Sequence, residues 1–249
     1  GTSETSRGGA LYSSAQNIDV TGSTFTENES DNGGGAIYAE QVANINSSTF
    51  SRNEAGTRGG AVVSDNSDVN VTKNSTFTSN KALGGDGGAI WADDDIDIED
   101  STFKSNTSTR DGGAVYSEDV DDVFVDNSTF DSNSADRDGG AIYSDQIVNV
   151  TDSTFTSNTA GQHGGAIYSD DTSVTVTSTR STFTSNTADD NGGAISGNDD
   201  VDIEDSTFTS NEANLGGAVF AETDVEVVGS LFVENTASTD GGAVWADSD

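Results

Sequence analysis

The sequence predicts an all-β fold, a parallel β-solenoid of about nine and a half coils of about 25 residues, with three short strands in each coil. Three observations lead there. Two motifs alternate along the whole chain at a near-constant interval. The segments between them carry strand-type spacing and none of the helical kind. The apolar residues are too few for an ordinary globular core but sufficient for stacked columns: Leu, Ile, Val and Phe make up about 19% of the 249 residues, while Asp+Glu 44 against Lys+Arg 9 gives a net charge of -35. Such a composition alone would mark disorder; the repeat overrides it.

The first motif, Gly-Gly-Ala followed by an aliphatic residue, begins at Gly8, Gly34, Gly59, Gly87, Gly112, Gly139, Gly164, Gly192, Gly216 and Gly241. The second, Phe-x-x-Asn, begins at Phe25, Phe50, Phe77, Phe103, Phe130, Phe155, Phe183, Phe208 and Phe232. Each unit reads as a strand of Gly-Gly-Ala-Ile-Tyr-Ser type, a Val-x-Val strand and a Ser-Thr-Phe-Thr strand, separated by Asp, Asn, Ser and Gly. A unit this short cannot bury its apolar face alone and must stack on its neighbours, so residues 1–249 form one domain. The predicted inward columns are the aliphatic residue after Gly-Gly-Ala, from Leu11 to Val244, the nine Phe, and pairs such as Ile96/Ile98 and Val225/Val227. The Asn that closes the second motif is expected to form an amide ladder, and Gly-Gly a tight corner. Extra residues at Gly84-Gly85, around Arg137 and at Thr177–Arg180 are expected to bulge outward as turns.

Composition removes several functions. The chain has no Cys, and thus neither disulfides nor thiol chemistry, and no Met or Pro. Scattered basic residues among so many carboxylates argue against nucleic acid and anionic membranes as partners. No apolar run approaches membrane-spanning length, so direct membrane insertion is not expected. The chain starts inside the repeat without Met, which reads as a processed product or a piece of something longer.

The alternation of GGAIY at Gly34–Tyr38 and GGAVY at Gly112–Tyr116 with FTSN at Phe155–Asn158 resembles the repeats of the chlamydial polymorphic outer-membrane proteins and of other right-handed parallel β-helix surface proteins. The resemblance runs from Gly8 to Ala246. It implies a right-handed coil and an extracellular or cell-surface protein acting in adhesion or as a stalk.

Strand alternation then assigns the faces. The residue after the aliphatic column is expected to point outward; Tyr12, Tyr38, Trp91, Tyr116, Tyr143, Tyr168, Phe220 and Trp245 there form either a stripe for sugar rings or another rod, or a cover for their own turns. Thr on both sides of Phe, as in Thr24/Thr26 and Thr154/Thr156, resembles an ice-binding ladder, interrupted at Lys104 and Asp131. Turn carboxylates, Asp93, Asp94, Asp95, Asp170, Asp171, Asp199 and Asp200 among them, are either a solvated face or a column for Ca²⁺, the one cofactor the sequence suggests. Asn-x-Ser/Thr at Asn46, Asn70, Asn74, Asn127 and Asn149 permits N-glycosylation. The acidity suits high salt, where screening relieves self-repulsion. Arg110-Asp111 and Arg137-Asp138 read as ion pairs between rungs, and His163 has no evident catalytic partner, so no enzyme is predicted. Neither end of the chain carries a visible cap, which predicts self-association, head to tail or lateral.

Overall fold

The computed structural model describes residues 6–118, 122–170 and 176–247. These residues wind into a right-handed solenoid with four parallel sheets and no helix. The coil from Ile90 shows the plan: Ile90–Ala92 lies in sheet A, Ile96–Glu99 in sheet B, Thr102–Lys104 in sheet C and Thr107–Ser108 in sheet D. Sheet A has ten strands and the others nine, each strand paired with its equivalents one coil before and after. At the ~4.8 Å strand spacing the rod is on the order of 45 Å long.

The fourth strand corrects the three expected. It follows the Asn corner and is two residues long in most coils, as in Glu54–Ala55, Lys81–Ala82 and Thr159–Ala160. Two residues cannot display alternation, which is why sequence spacing does not reveal it. Its signature is the small second residue, buried at Ala55, Ala82, Ser108, Ala135, Ala160 and Ala188. One expected bulge also moves: Val176–Thr179 is a regular strand of sheet B, with Thr177 opposite Asn149 and Asp202. The extra length of that coil falls between Ser169 and Val176, largely outside the described residues.

Inside, like stacks on like. The rings from Phe25 to Phe232 form one pile with centroids 4.7–4.9 Å apart and planes within 8°. Ile90, Ile96, Ile98 and their equivalents fill the rest of the core, with the Ala of Gly-Gly-Ala beneath the corner. Among the described residues one column is interrupted inside the rod, where buried Ser178 stands between Val150 and Ile203 with its hydroxyl 3.2 Å from that of Ser206; elsewhere the columns open at the rims. Leu11 and Val227, predicted inward, are 39% and 43% exposed, because the first and last coils have a neighbour on one side only. Phe130→Ala in the middle of the pile is therefore expected to cost about 3–5 kcal/mol in a urea melt. Phe124→Ala, six residues away on the outer face of sheet B, should stay within about 0.5 kcal/mol.

Two buried polar ladders hold the corners. Each inner Asn accepts the backbone N–H and one amide hydrogen of its predecessor: Asn106 N and Nδ2 lie 3.0 Å from Asn133 Oδ1, and the Asn106 amide also donates to the Phe77 carbonyl at 3.0 Å. The second ladder is absent from the sequence reading. The Ser two residues before each Phe accepts the N–H of the Ser one coil earlier and donates to a carbonyl two residues back, as in Ser101 N to Ser128 Oγ at 3.0 Å and Ser128 Oγ to Asp126 O at 2.8 Å.

Candidate functional surfaces

The aromatic stripe corrects the sequence expectation most. Its side chains do point away from the inner core, yet Tyr38, Trp91, Tyr116, Tyr143 and Tyr168, with Val63, form a second buried cluster, and Phe220 is buried too. Alternation predicts direction, not cover. Here the cover is the residue just before each Gly-Gly on one side and the turn after the strand on the other. The Arg58 guanidinium lies 3.7 Å above the Trp91 ring centre, paired with Asp65 and 3.9 Å from Glu118. Arg7 covers Tyr38 in the same way at 5.0 Å, an arrangement favourable for cation and ring. Tyr143 Oη lies 2.9 Å from Asp145 and 3.0 Å from Asp170, and Tyr168 Oη 2.9 Å from Asp170. Burial, then those carboxylates, drives the Tyr143 and Tyr168 phenols above their ordinary range. Only Tyr12 and Trp245, in the rim coils, reach solvent appreciably, so the stripe offers a sugar no continuous platform.

Where the covering residue changes from Arg to Asp, a buried carboxylate column results. Asp86 accepts Asp111 N–H at 3.1 Å, Asp111 accepts Asp138 N–H at 3.1 Å, and Asp138 accepts His163 N–H at 2.9 Å. Arg110 reaches Asp86 at 3.2 Å and Arg137 reaches Asp111 at 3.3 Å, so both Arg-Asp steps are ion pairs between rungs. Burial pushes the Asp111 carboxyl up to about 6; the Asp138 N–H and the Arg137 guanidinium oppose this, while the Asp86 and Asp138 carboxylates add to it. Asp138 is raised by burial as well. The native state thus holds protons that the unfolded chain, titrating near 3.8, has released. Stability is expected to fall as pH rises from about 4 to about 6 and to stay low above that. Melting temperature should be higher at pH 5 than at pH 8. Asp111→Asn keeps an acceptor for Asp138 N–H and removes the charge; it should stabilise the rod by roughly 1–3 kcal/mol at pH 8 and flatten the pH profile.

The turn carboxylates are occupied by the fold. Asp95 accepts Asp122 N–H at 2.9 Å, Asp170 accepts the Asn198 amide at 2.8 Å, and Asp199 and Asp200 both accept the Thr223 hydroxyl. Asp93 and Asp94 are half-buried in the same turn, and Asp171 lies outside the described residues. Among the described residues no group of three or more His, Asp or Glu side chains is arranged to hold a metal ion.

Two flat faces remain. Sheet C presents Thr24, Thr49, Thr76, Thr102, Thr129, Thr154, Thr182 and Thr207 in register, ending at Leu231, beside a column in which Lys104 pairs with Asp131. Sheet B presents amides and carboxylates, with Asn44 donating to Asp19 and Asn70 to Asn44. Asn46, Asn70 and Asn149 are half-exposed on this face, and Asn74 and Asn127 stand exposed at its corner with positive φ. Phe124 is the aromatic exception on sheet B among the described residues, with Val228 an apolar one in the last coil, and it escaped the sequence reading. Its signal is a Phe in Val-Phe-Val where the other coils place a polar residue.

Four sheets, stacked core columns and polar corner ladders define a right-handed β-helix repeat protein. The family model described as right handed beta helix region matches residues 35–208 and 89–249, and the chain belongs to that family. The Chlamydia polymorphic membrane protein repeat matches residues 22–40, one turn of the motif alternation. No curated protein and no solved structure matches the chain. No helix is long and apolar enough to cross a membrane among the described residues.

Proposed function

We propose that this chain is a structural β-solenoid of the cell surface or extracellular space, acting as a filament subunit that stacks end to end or as the shaft of a larger adhesin, and adapted to high salt. The observation that carries the proposal is the uniformity of the rod. All four ladders run from the first coil to the last with the same register, broken by one shift between Ala213 and Leu215. Catalytic β-structures concentrate chemistry in one irregular coil; here the buried carboxylates and tyrosines are spent on each other and on backbone N–H groups. The match to a polymorphic membrane protein repeat supports a surface location. Half-exposed Phe25 and Phe232 at the two rims would accept another coil, of the same polypeptide or a second copy.

Electron microscopy across a series from low to multi-molar salt tests this reading. Straight rods on the order of 45 Å, or filaments with that repeat, are expected from the ~4.8 Å coil rise. Filaments would assign end-to-end stacking, and a charge placed at Ala246 in the final strand should then block them. Collapsed or globular particles would overturn the proposal. The melting temperature should climb with NaCl as the screening length shrinks from ~10 Å at 0.1 M to ~3 Å at 1 M. A salt-independent melt would remove the high-salt adaptation.

A further inference from the structure

We infer that the outer face of sheet B around Phe124 is a binding site for an oligosaccharide bearing amino sugars. This inference is independent of whether the rod is a filament or a shaft. Phe124 sits between Asp97 and Asn149 in the ladder, 39% exposed, and is the one aromatic side chain on this face among the described residues. Around it a groove of about 450 Å³ is lined by Asn70, Thr72, Asp97, Glu99, Asp126 and Asn149, among others.

The chemistry of that lining selects the ligand. An exposed ring set among side-chain amides, hydroxyls and carboxylates offers a platform for one face of a pyranose and hydrogen-bond partners for its rim. The side chains of Asp97, Glu99, Asp126 and Asn149 make no hydrogen bond or ion pair within the described residues, whereas the turn carboxylates are engaged. Their spacing is preset at ~4.8 Å across the ladder and ~6.8 Å along the strand, so a chain of rings meets donors and acceptors already in place. Three carboxylates and no Lys or Arg line the groove, so an anionic sugar is repelled while an ammonium group is attracted to the acids and to the ring face. Burial, then Asp95, holds the Asp97 carboxyl above its ordinary range, which a nearby ammonium would reverse. A protein partner fits less well: one aromatic ring supplies little of the ~800 Å² that a stable interface buries on each side.

The test is titration of the intact chain with a fully deacetylated glucosamine hexamer by calorimetry at pH 6 in 0.15 M NaCl. The wild type should bind, Phe124→Ala should bind at least tenfold more weakly, and Phe124→Trp should retain affinity. Asp97→Asn with Glu99→Gln should weaken binding by a similar factor, and a galacturonate hexamer should not bind. Equal binding by wild type and Phe124→Ala would show diffuse attraction to an acidic rod and overturn the site, as would no binding at all. If Phe124→Ala instead abolishes a concentration-dependent dimer, the face belongs to a second copy and the glycan assignment fails. Phe124 is outside the core, so the unchanged melt expected of its alanine variant separates a lost site from a lost fold. Rod length under the microscope reports on the structural proposal separately.

Discussion

Gly140→Ala is expected to abolish the fold, read as loss of a cooperative β-sheet transition by circular dichroism. A Cβ on Gly140 would lie 2.1 Å from the Gly165 carbonyl oxygen and 2.6 Å from the Thr159 carbonyl carbon, both backbone atoms. No rotamer relieves such an overlap; the coils would have to part. They are tied at this point, since Gly140 N–H donates to Gly164 O at 3.0 Å and Ala141 N–H to Ala166 O at 2.9 Å. Opening the corner therefore sacrifices ladder bonds on both sides of the substitution, and the penalty approaches the whole 5–15 kcal/mol stability of a typical domain. Gly22→Ala is the control. Gly22 has φ +58 but nothing within 4 Å of the added carbon, so its cost is the left-handed backbone alone, roughly 1–2 kcal/mol. A Gly140→Ala protein that melts within a few degrees of the parent would refute this account of the corner.

The same corner shows what a sequence can and cannot disclose. Gly-Gly recurs because two different constraints meet: the first glycine, such as Gly139 with φ +62, needs the left-handed backbone, and the second needs the space. Repetition makes such constraints visible, and the Phe and Asn columns are legible for the same reason. Among the described residues seventeen non-glycine residues also adopt positive φ, nine of them, Ser105, Ser132 and Ser157 included, in the corner between Phe and Asn and the rest in the corner after sheet B. No residue type marks these positions, since Arg52 and Glu27 occupy equivalent ones. The Ser ladder is not legible in the sequence, because Ser is abundant throughout the chain and each ladder partner lies a full coil away. Burial of the aromatic stripe was out of reach for a related reason. It depends on Arg7 and Arg58 folding over Tyr38 and Trp91 from the preceding corner, a contact between columns rather than along one. Phe124 is the converse case, a departure from the repeat that a search for regularity passes over.

Asn133→Ala should be nearly as damaging, and its dependence on position carries the stronger test. Asn133 Oδ1 accepts from Asn106 N and Asn106 Nδ2, both at 3.0 Å, while its own amide donates to Phe103 O and Asn158 Oδ1, again at 3.0 Å. The residue is fully buried, so water cannot replace what alanine removes. Two donor hydrogens on Asn106 and the Phe103 carbonyl lose their partners, each at about 1–3 kcal/mol, before the cavity is counted. Asn235→Ala removes the equivalent side chain from the last coil, which is half-exposed, and solvent there satisfies most of the same groups; about 1–2 kcal/mol is expected from a partly wetted site. A stack whose coils contact only their neighbours behaves as a one-dimensional array. The central lesion weakens the interfaces on both sides of its coil, and urea unfolding of Asn133→Ala should separate into two shallower transitions, with Asn235→Ala remaining single. Equal destabilisation at both positions would mean that the amide ladder is decoration on a core held by Phe stacking. A steep difference makes it the element that fixes the register of one coil on the next.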